Sequence, residues 1–202
     1  MRRKIYWPDW MPVDMHDFRC GYIALVGRPN VGKSTLLNRI LGQKISITSR
    51  RPQTTRHRVL GIKSVASAQL IYVDTPGIHD YSGRAMNRHM NRTASSVLQD
   101  VDVVVFLVDG LQWTADDELV LQKLGQSDCP VILAVNKIDL LGNREELLPG
   151  LQALAEKHAF EQIIPISAGK GDNVAALEAA IETLLPVAAP LFPEDQVTDR
   201  SV

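Results

Sequence analysis

Apolar residues fall along the chain in short dense runs separated by longer stretches of mixed polarity, and two periods account for them. Runs at 22–26, 69–73, 103–108, 131–135 and 163–166 are nearly continuous in valine, isoleucine and leucine, the pattern of strands buried on both faces. Helical spacing instead follows Gly32 and recurs at 84–99, 116–125, 144–158 and 173–185. Within 84–99, Met86, Met90, Thr93 and Val97 mark a core-facing stripe, and Thr114 with Asp117 has the form of a capping box. One more run, 59–65, stands too close to 69–73 for a crossover helix, so the two predict an antiparallel hairpin at a sheet edge. The alternation predicts an α/β protein, a three-layer sandwich around a mostly parallel six-stranded sheet with one antiparallel edge strand.

The ends of the chain lack either period. Residues 1–20 hold a basic start, Trp7 and Trp10, without the apolar core and cleavage site of a secretory signal. They predict a disordered tail, with Met11 and Met15 as alternative starts and a partner or membrane surface as the other use for the tryptophans. Residues 187–202 turn proline-rich and then polar and predict a linker, leaving 21–186 as the domain. Composition agrees with one domain: 202 residues, 45% hydrophobic. Lysine and arginine total 22 against 23 aspartates and glutamates, a net charge of -1 that gives no overall reason to bind nucleic acid. Arg50, Arg51, Arg56 and Arg58 form a local basic stretch that would suit a phosphate-rich partner. Cys20 and Cys129, far apart, predict free thiols in a reducing compartment. The longest apolar run, 101–108, already contains Asp102, so no transmembrane segment is predicted.

The chemistry concentrates at the ends of the predicted strands. Gly27-Arg-Pro-Asn-Val-Gly-Lys-Ser34 fits the phosphate-binding P-loop pattern and lies between a strand and a helix, the context that the pattern requires. Gly27 and Gly32 let backbone amides close on phosphate oxygens, with Asn30 and Val31 in the same loop, and the helix that follows presents its positive end. Lys33 is expected to reach the β and γ phosphates and Ser34 to ligate Mg2+, while Thr35 caps or packs beside the ligand. Asp74-Thr-Pro-Gly77 closes the hairpin; Asp74 is expected to face the magnesium and Gly77 to offer its amide to the γ phosphate. The polar stretch 50–58 between loop and hairpin predicts a switch segment, with Thr55 preferred to Thr54 as a further magnesium ligand. Asn136-Lys-Ile-Asp139 follows a strand, so that the Asp139 carboxylate can accept two hydrogens from guanine N1 and its exocyclic amine, which adenine does not offer. Asn136 braces loop and ring, Lys137 flanks the base, and in Ser167-Ala-Gly-Lys170 the Ala168 amide can donate to the guanine carbonyl. The predicted ligands are therefore GTP and GDP with Mg2+, and the catalytic group comprises Lys33, Thr55 and Gly77. Ile78 stands immediately after Gly77, where a water-orienting glutamine is common, and His79 reads as solvated; slow intrinsic turnover is expected.

Through 27–34, 52–57, 74–77 and 136–139 the chain resembles the translation-factor-like P-loop GTPases, and specifically the Era family, over about 21–201. The stretches 52–58 and 192–201 separate it from the Der and tRNA-modifying GTPases. The resemblance implies K+ held by Asn30 against the phosphates. It also implies a cytoplasmic protein with peripheral inner-membrane association, and service to the small ribosomal subunit and 16S rRNA through a C-terminal KH domain. No residue of this sequence carries that RNA contact, and the leader 1–19 departs from the family pattern.

Overall fold

The computed structural model describes residues 17–42, 58–74, 100–125 and 127–193, with the side chains of Arg58, Asp74 and Arg144 excepted. In chain order these form strand β1 (Arg19–Val26), helix α1 (Lys33–Leu41), β2 (Arg58–Ser64), β3 (Ala68–Asp74), β4 (Val103–Asp109), α2 (Ala115–Leu124), β5 (Val131–Asn136), two 3₁₀ turns (Ile138–Leu140 and Arg144–Glu146), α3 (Leu147–Ala155), β6 (Gln162–Pro165) and α4 (Val174–Leu184). The strands make one sheet in the order β2-β3-β1-β4-β5-β6. Only β2 runs antiparallel to its neighbour, with a register shift between Val59 and Gly61.

Alternate side chains of each strand feed two cores, which is why the strands read as unbroken apolar runs. Ala24, Val26, Phe106 and Val108 join Val120, Leu121 and Leu124 of α2 and Leu154 of α3 on one face. Ile23, Leu25, Val105 and Leu107 join Leu36, Leu37 and Ile40 of α1 and Leu177 and Ile181 of α4 on the other. The three-layer sandwich with a six-stranded, mostly parallel sheet is as the sequence predicts. The capping box also forms: Thr114 accepts from the Asp117 amide while the Asp117 carboxylate accepts from the Thr114 amide. Asp102, the charge that interrupts the apolar run before β4, accepts the Tyr22 N–H at 2.8 Å. Both cysteines are free. The predicted helix 84–99, with its methionine stripe, lies outside the described residues.

Two boundaries need correction. The predicted tail 1–20 overlaps the domain, because β1 begins at Arg19 and both Phe18 and Cys20 are buried. The predicted linker from 187 is packed on the domain as far as Phe192. Cys20 donates its amide to Pro186 O at 3.1 Å, Ala188 donates to Phe18 O at 3.0 Å, and Phe192 lies against the core. The anchor is Gln69, fully buried in β3. Its Oε1 accepts the amides of Leu191 at 2.8 Å and Phe192 at 2.9 Å, and its Nε2 donates to Phe192 O at 2.8 Å and Ser64 Oγ at 3.0 Å.

Replacing Gln69 with leucine keeps the volume but removes the three hydrogen bonds that Gln69 makes to Leu191 and Phe192. The expected loss of stability is about 1–3 kcal/mol in urea unfolding, with faster amide exchange at Leu191 and Phe192. An unchanged midpoint with unchanged exchange would exclude the anchoring role.

Candidate functional site

β1, β5 and β6 run parallel and end at one rim of the sheet, the side on which doubly wound sheets take ligands in a crevice. The loop 27–32 enters it from β1 and turns back on itself through positive φ at Gly27 (143°), Asn30 (64°) and Gly32 (103°). A side chain at Gly27 would strike the Leu107 carbonyl, and one at Gly32 would strike Asn136 Nδ2, so both positions are closed to other residues. Asparagine tolerates the left-handed region better than other side chains, which accounts for Asn30 as a turn residue. Gly32 caps α1, leaving the first amides of that helix facing the loop.

Lys33 Nζ is turned into the loop, donating to the carbonyls of Gly27 at 2.6 Å and Arg28 at 2.8 Å. Burial lowers its pKa to about 8. A polyphosphate seated in the loop offers stronger acceptors to the same ammonium, so the arrangement fits phosphate binding by exchange of partners. Ser34, at the start of α1, is exposed and free to face a phosphate-bound cation. Thr35 is exposed too, because Leu36, Leu37 and Ile40 take the buried face of α1. Asp74 ends β3 at the same rim of the sheet, while Thr55, Gly77, Ile78 and His79 lie outside the described residues.

The base end is built around Asn136, 2% exposed at the end of β5. Its Nδ2 donates to Val31 O at 2.7 Å and its Oδ1 accepts the Ala168 amide at 2.9 Å. The loop-bracing role expected of Asn136 is therefore present. The Ala168 amide, expected to donate to the guanine carbonyl, here donates to the buried oxygen of Asn136. Asp139 has its carboxylate held below the usual range, first by a hydrogen bond from the Ser167 hydroxyl and also by Lys170, whose Nζ lies 3.9 Å away. Lys137 pairs with Asp109 at 2.6 Å. The sequence reading missed Arg39, which reaches from α1 to donate to the carbonyls of Ala168 at 3.3 Å and of Gly169. A helix-surface arginine carries no signal of such a role. Trp113 is half-buried edge-on to Phe106 with centroids 5.8 Å apart, and it donates to Glu118 at 2.9 Å.

A family profile described as "50S ribosome-binding GTPase" matches residues 22–137. GTPase Era of Marinobacter nauticus is 62% identical over 183 residues, covering 91% of this chain and 60% of that protein. GTPase Era of Pseudomonas aeruginosa is 54% identical over 193 residues, covering 93% and 63%. The chain thus spans about three-fifths of the length of these curated relatives. Among solved structures, a GDP.AlF4--bound variant of Aquifex aeolicus Era is similar at TM-score 0.74 and 41% identity, covering 91% of this chain and 63% of that one. Era in complex with MgGDPNP and a 16S ribosomal RNA segment gives TM-score 0.75 and 43% identity with the same coverage.

The buried lysine sets the pH response. Without ligand, Lys33 is protonated below about 8 and neutral above it. A polyphosphate needs the ammonium, so above that pH binding must take up a proton and affinity falls, by up to about tenfold per unit. Titration calorimetry of GDP binding across this range measures the fall, and Lys33→Met should bind weakly with that dependence gone. A constant affinity in the parent protein would contradict the exchange of lysine partners.

Proposed function

The chain belongs to the 50S ribosome-binding GTPase family, on its Era-like branch, and from that premise we propose that it binds GTP and GDP with Mg2+ and hydrolyses GTP slowly as a molecular switch. The observation that supports this most directly is the Asn136 side chain, which holds Val31 of the phosphate loop and Ala168 of the base loop at once. Phosphate and base sites joined by one buried amide fit a nucleotide better than either fits a smaller ligand. Beside that brace, Asp139 is ionised, set by Ser167, and able to accept both guanine N–H groups.

In the proposed reaction Lys33 leaves the carbonyls of Gly27 and Arg28 for the β and γ phosphates, and with the loop amides it stabilises charge as water attacks in line. Ser34, with Thr55 and Asp74 as its expected companions, would hold the magnesium ion. When bound, that ion neutralises charge on the phosphate oxygens. Gly77 completes the proposed set by donating its amide to the γ phosphate. The absence of a water-orienting glutamine at Ile78 supports a slow intrinsic rate.

The relatives are longer than this chain. Service to small-subunit assembly and 16S rRNA maturation is proposed for a protein that also carries the KH domain implied by the resemblance, in keeping with the RNA complex of its structural relative. A cytoplasmic location with peripheral contact at the inner membrane belongs to the same proposal and rests on the resemblance. Among the described residues no helix is long and apolar enough to cross a membrane. Potassium beside Asn30 is the remaining extension. Because the left-handed turn alone accounts for asparagine there, the extension rests on family likeness and on Ile78.

Two measurements test the proposal. Asp139→Asn should weaken GDP binding by on the order of a hundredfold, since two charge-assisted hydrogen bonds are lost, and should favour xanthine nucleotides; unchanged GDP affinity would refute the guanine assignment. GTP turnover should be faster in potassium than in sodium chloride, and equal rates would remove potassium from the site.

A further inference from the structure

Arg28, the second residue of the phosphate loop, has no part in the phosphate or base contacts above, yet its side chain is only 19% exposed. It reaches the start of α2. Its Nε donates to Asp117 Oδ2 at 3.3 Å, and its guanidinium lies 4.0 Å from Asp109. Asp109 is fixed in turn by Lys137 at 2.6 Å. Asp117 is fully buried, and its Oδ2 also accepts the amide and hydroxyl of Thr114 at 3.0 and 2.7 Å. Among the described residues its other oxygen, Oδ1, is buried without a hydrogen-bond partner. A buried carboxylate with one oxygen bare is an incomplete arrangement. The group beside it, a guanidinium holding on through one nitrogen, is the one whose fork geometry would complete it.

We propose that Arg28 is a positioning residue that transmits occupancy of the phosphate loop to the start of α2, closing from a single hydrogen bond to a two-pronged pair with Asp117 when nucleotide is bound. The proposal rests on the nucleotide reading above. Lys33 clamps the carbonyls of Gly27 and Arg28. A polyphosphate that takes Lys33 releases both carbonyls, while the Arg28 side chain still ties this flank of the loop to α2. The flank can then shift, and the bare Oδ1 of Asp117 is the acceptor that such a shift brings within reach of a second guanidinium N–H. The cap of α2 moves with Asp117, because the same carboxylate holds Thr114.

Trp113 adjoins Thr114 and reports on it. The ring rests on Phe106, hydrogen-bonds Glu118 of α2 and carries Lys157 Nζ 5.7 Å above it. With Trp7 and Trp10 replaced by phenylalanine in the full chain, tryptophan emission comes from Trp113 alone. Emission is read with and without GDP at saturation, with occupancy checked by equilibrium dialysis and folding by circular dichroism. The parent should show a nucleotide-dependent change in emission. Arg28→Lys keeps the charge but has no fork, and Asp117→Asn keeps an acceptor for the Thr114 cap; each should bind GDP at saturation while losing most of that change. A merely structural role would lower stability or affinity without abolishing the response of a folded, saturated protein. A parental response in both saturated variants, or no response in the saturated parent, overturns the relay alone. A parent that binds no GDP overturns the nucleotide reading and the relay with it. If Arg28→Lys does not fold, Asp117→Asn decides.

Discussion

The buried side chain of Asn136 is the contact on which the rest of the site depends. It joins Val31, 105 positions earlier, to Ala168, 32 positions later, and so fixes the distance between the loops that follow β1 and β6. The role is narrow in chemistry. Aspartate lacks the N–H that Val31 O requires, and leucine would leave both a carbonyl and an amide without partners, at about 1–3 kcal/mol each. The constraint extends to Gly32, where any Cβ would occupy the space of the Asn136 amide nitrogen. One neutral amide thus imposes glycine on the phosphate loop and takes the Ala168 N–H for itself.

The two ends of the crevice are prepared in opposite ways. At the base end, Ser167 and Lys170 favour the ionised form of Asp139, and Arg39 holds the loop behind it through carbonyls of residues 168 and 169. That acceptor stands ready before any ligand arrives. At the phosphate end, the cation is turned inward on its own loop, and burial makes its charge costly enough to bring its pKa to about 8. In the proposed complex, phosphate binding exchanges the partners of Lys33, whereas base binding fills a geometry already set. On the proposed function, discrimination between bases belongs to the rigid end and sensitivity to phosphate content to the end that rearranges.

Much of this was legible in the sequence, for identifiable reasons. Strands buried on both faces read as unbroken apolar runs, so the six-stranded order of elements followed from Ile23 through Val26 or Val103 through Val108. The Thr114–Asp117 box is local, and a local hydrogen bond leaves a local pattern. What escaped notice is held by polar contacts across long separations. Gln69 reads as an ordinary strand residue, but it anchors Leu191 and Phe192 from more than a hundred positions away. Arg28 and Arg39 look like solvated charges. The contact between the Ala168 amide and the buried Asn136 oxygen likewise becomes visible only once the two loops are side by side.

The placement of Gln69 constrains where the molecule can respond. β3 carries Gln69 at one end and Asp74 at the other, and it pairs with β1 in unbroken register from Arg19↔Ala68 to Ala24↔Val73. Leu70 to Val73 are at most 2% exposed, so sliding this strand would expose apolar surface and break the ladder together. The strap at 187–192 and the phosphate loop therefore lie at opposite ends of one stiff pair of strands. A ligand at the crevice gains nothing by shifting that pair. The proposed relay runs sideways instead, through the single-pronged Arg28–Asp117 pair, whose other carboxylate oxygen has no partner among the described residues.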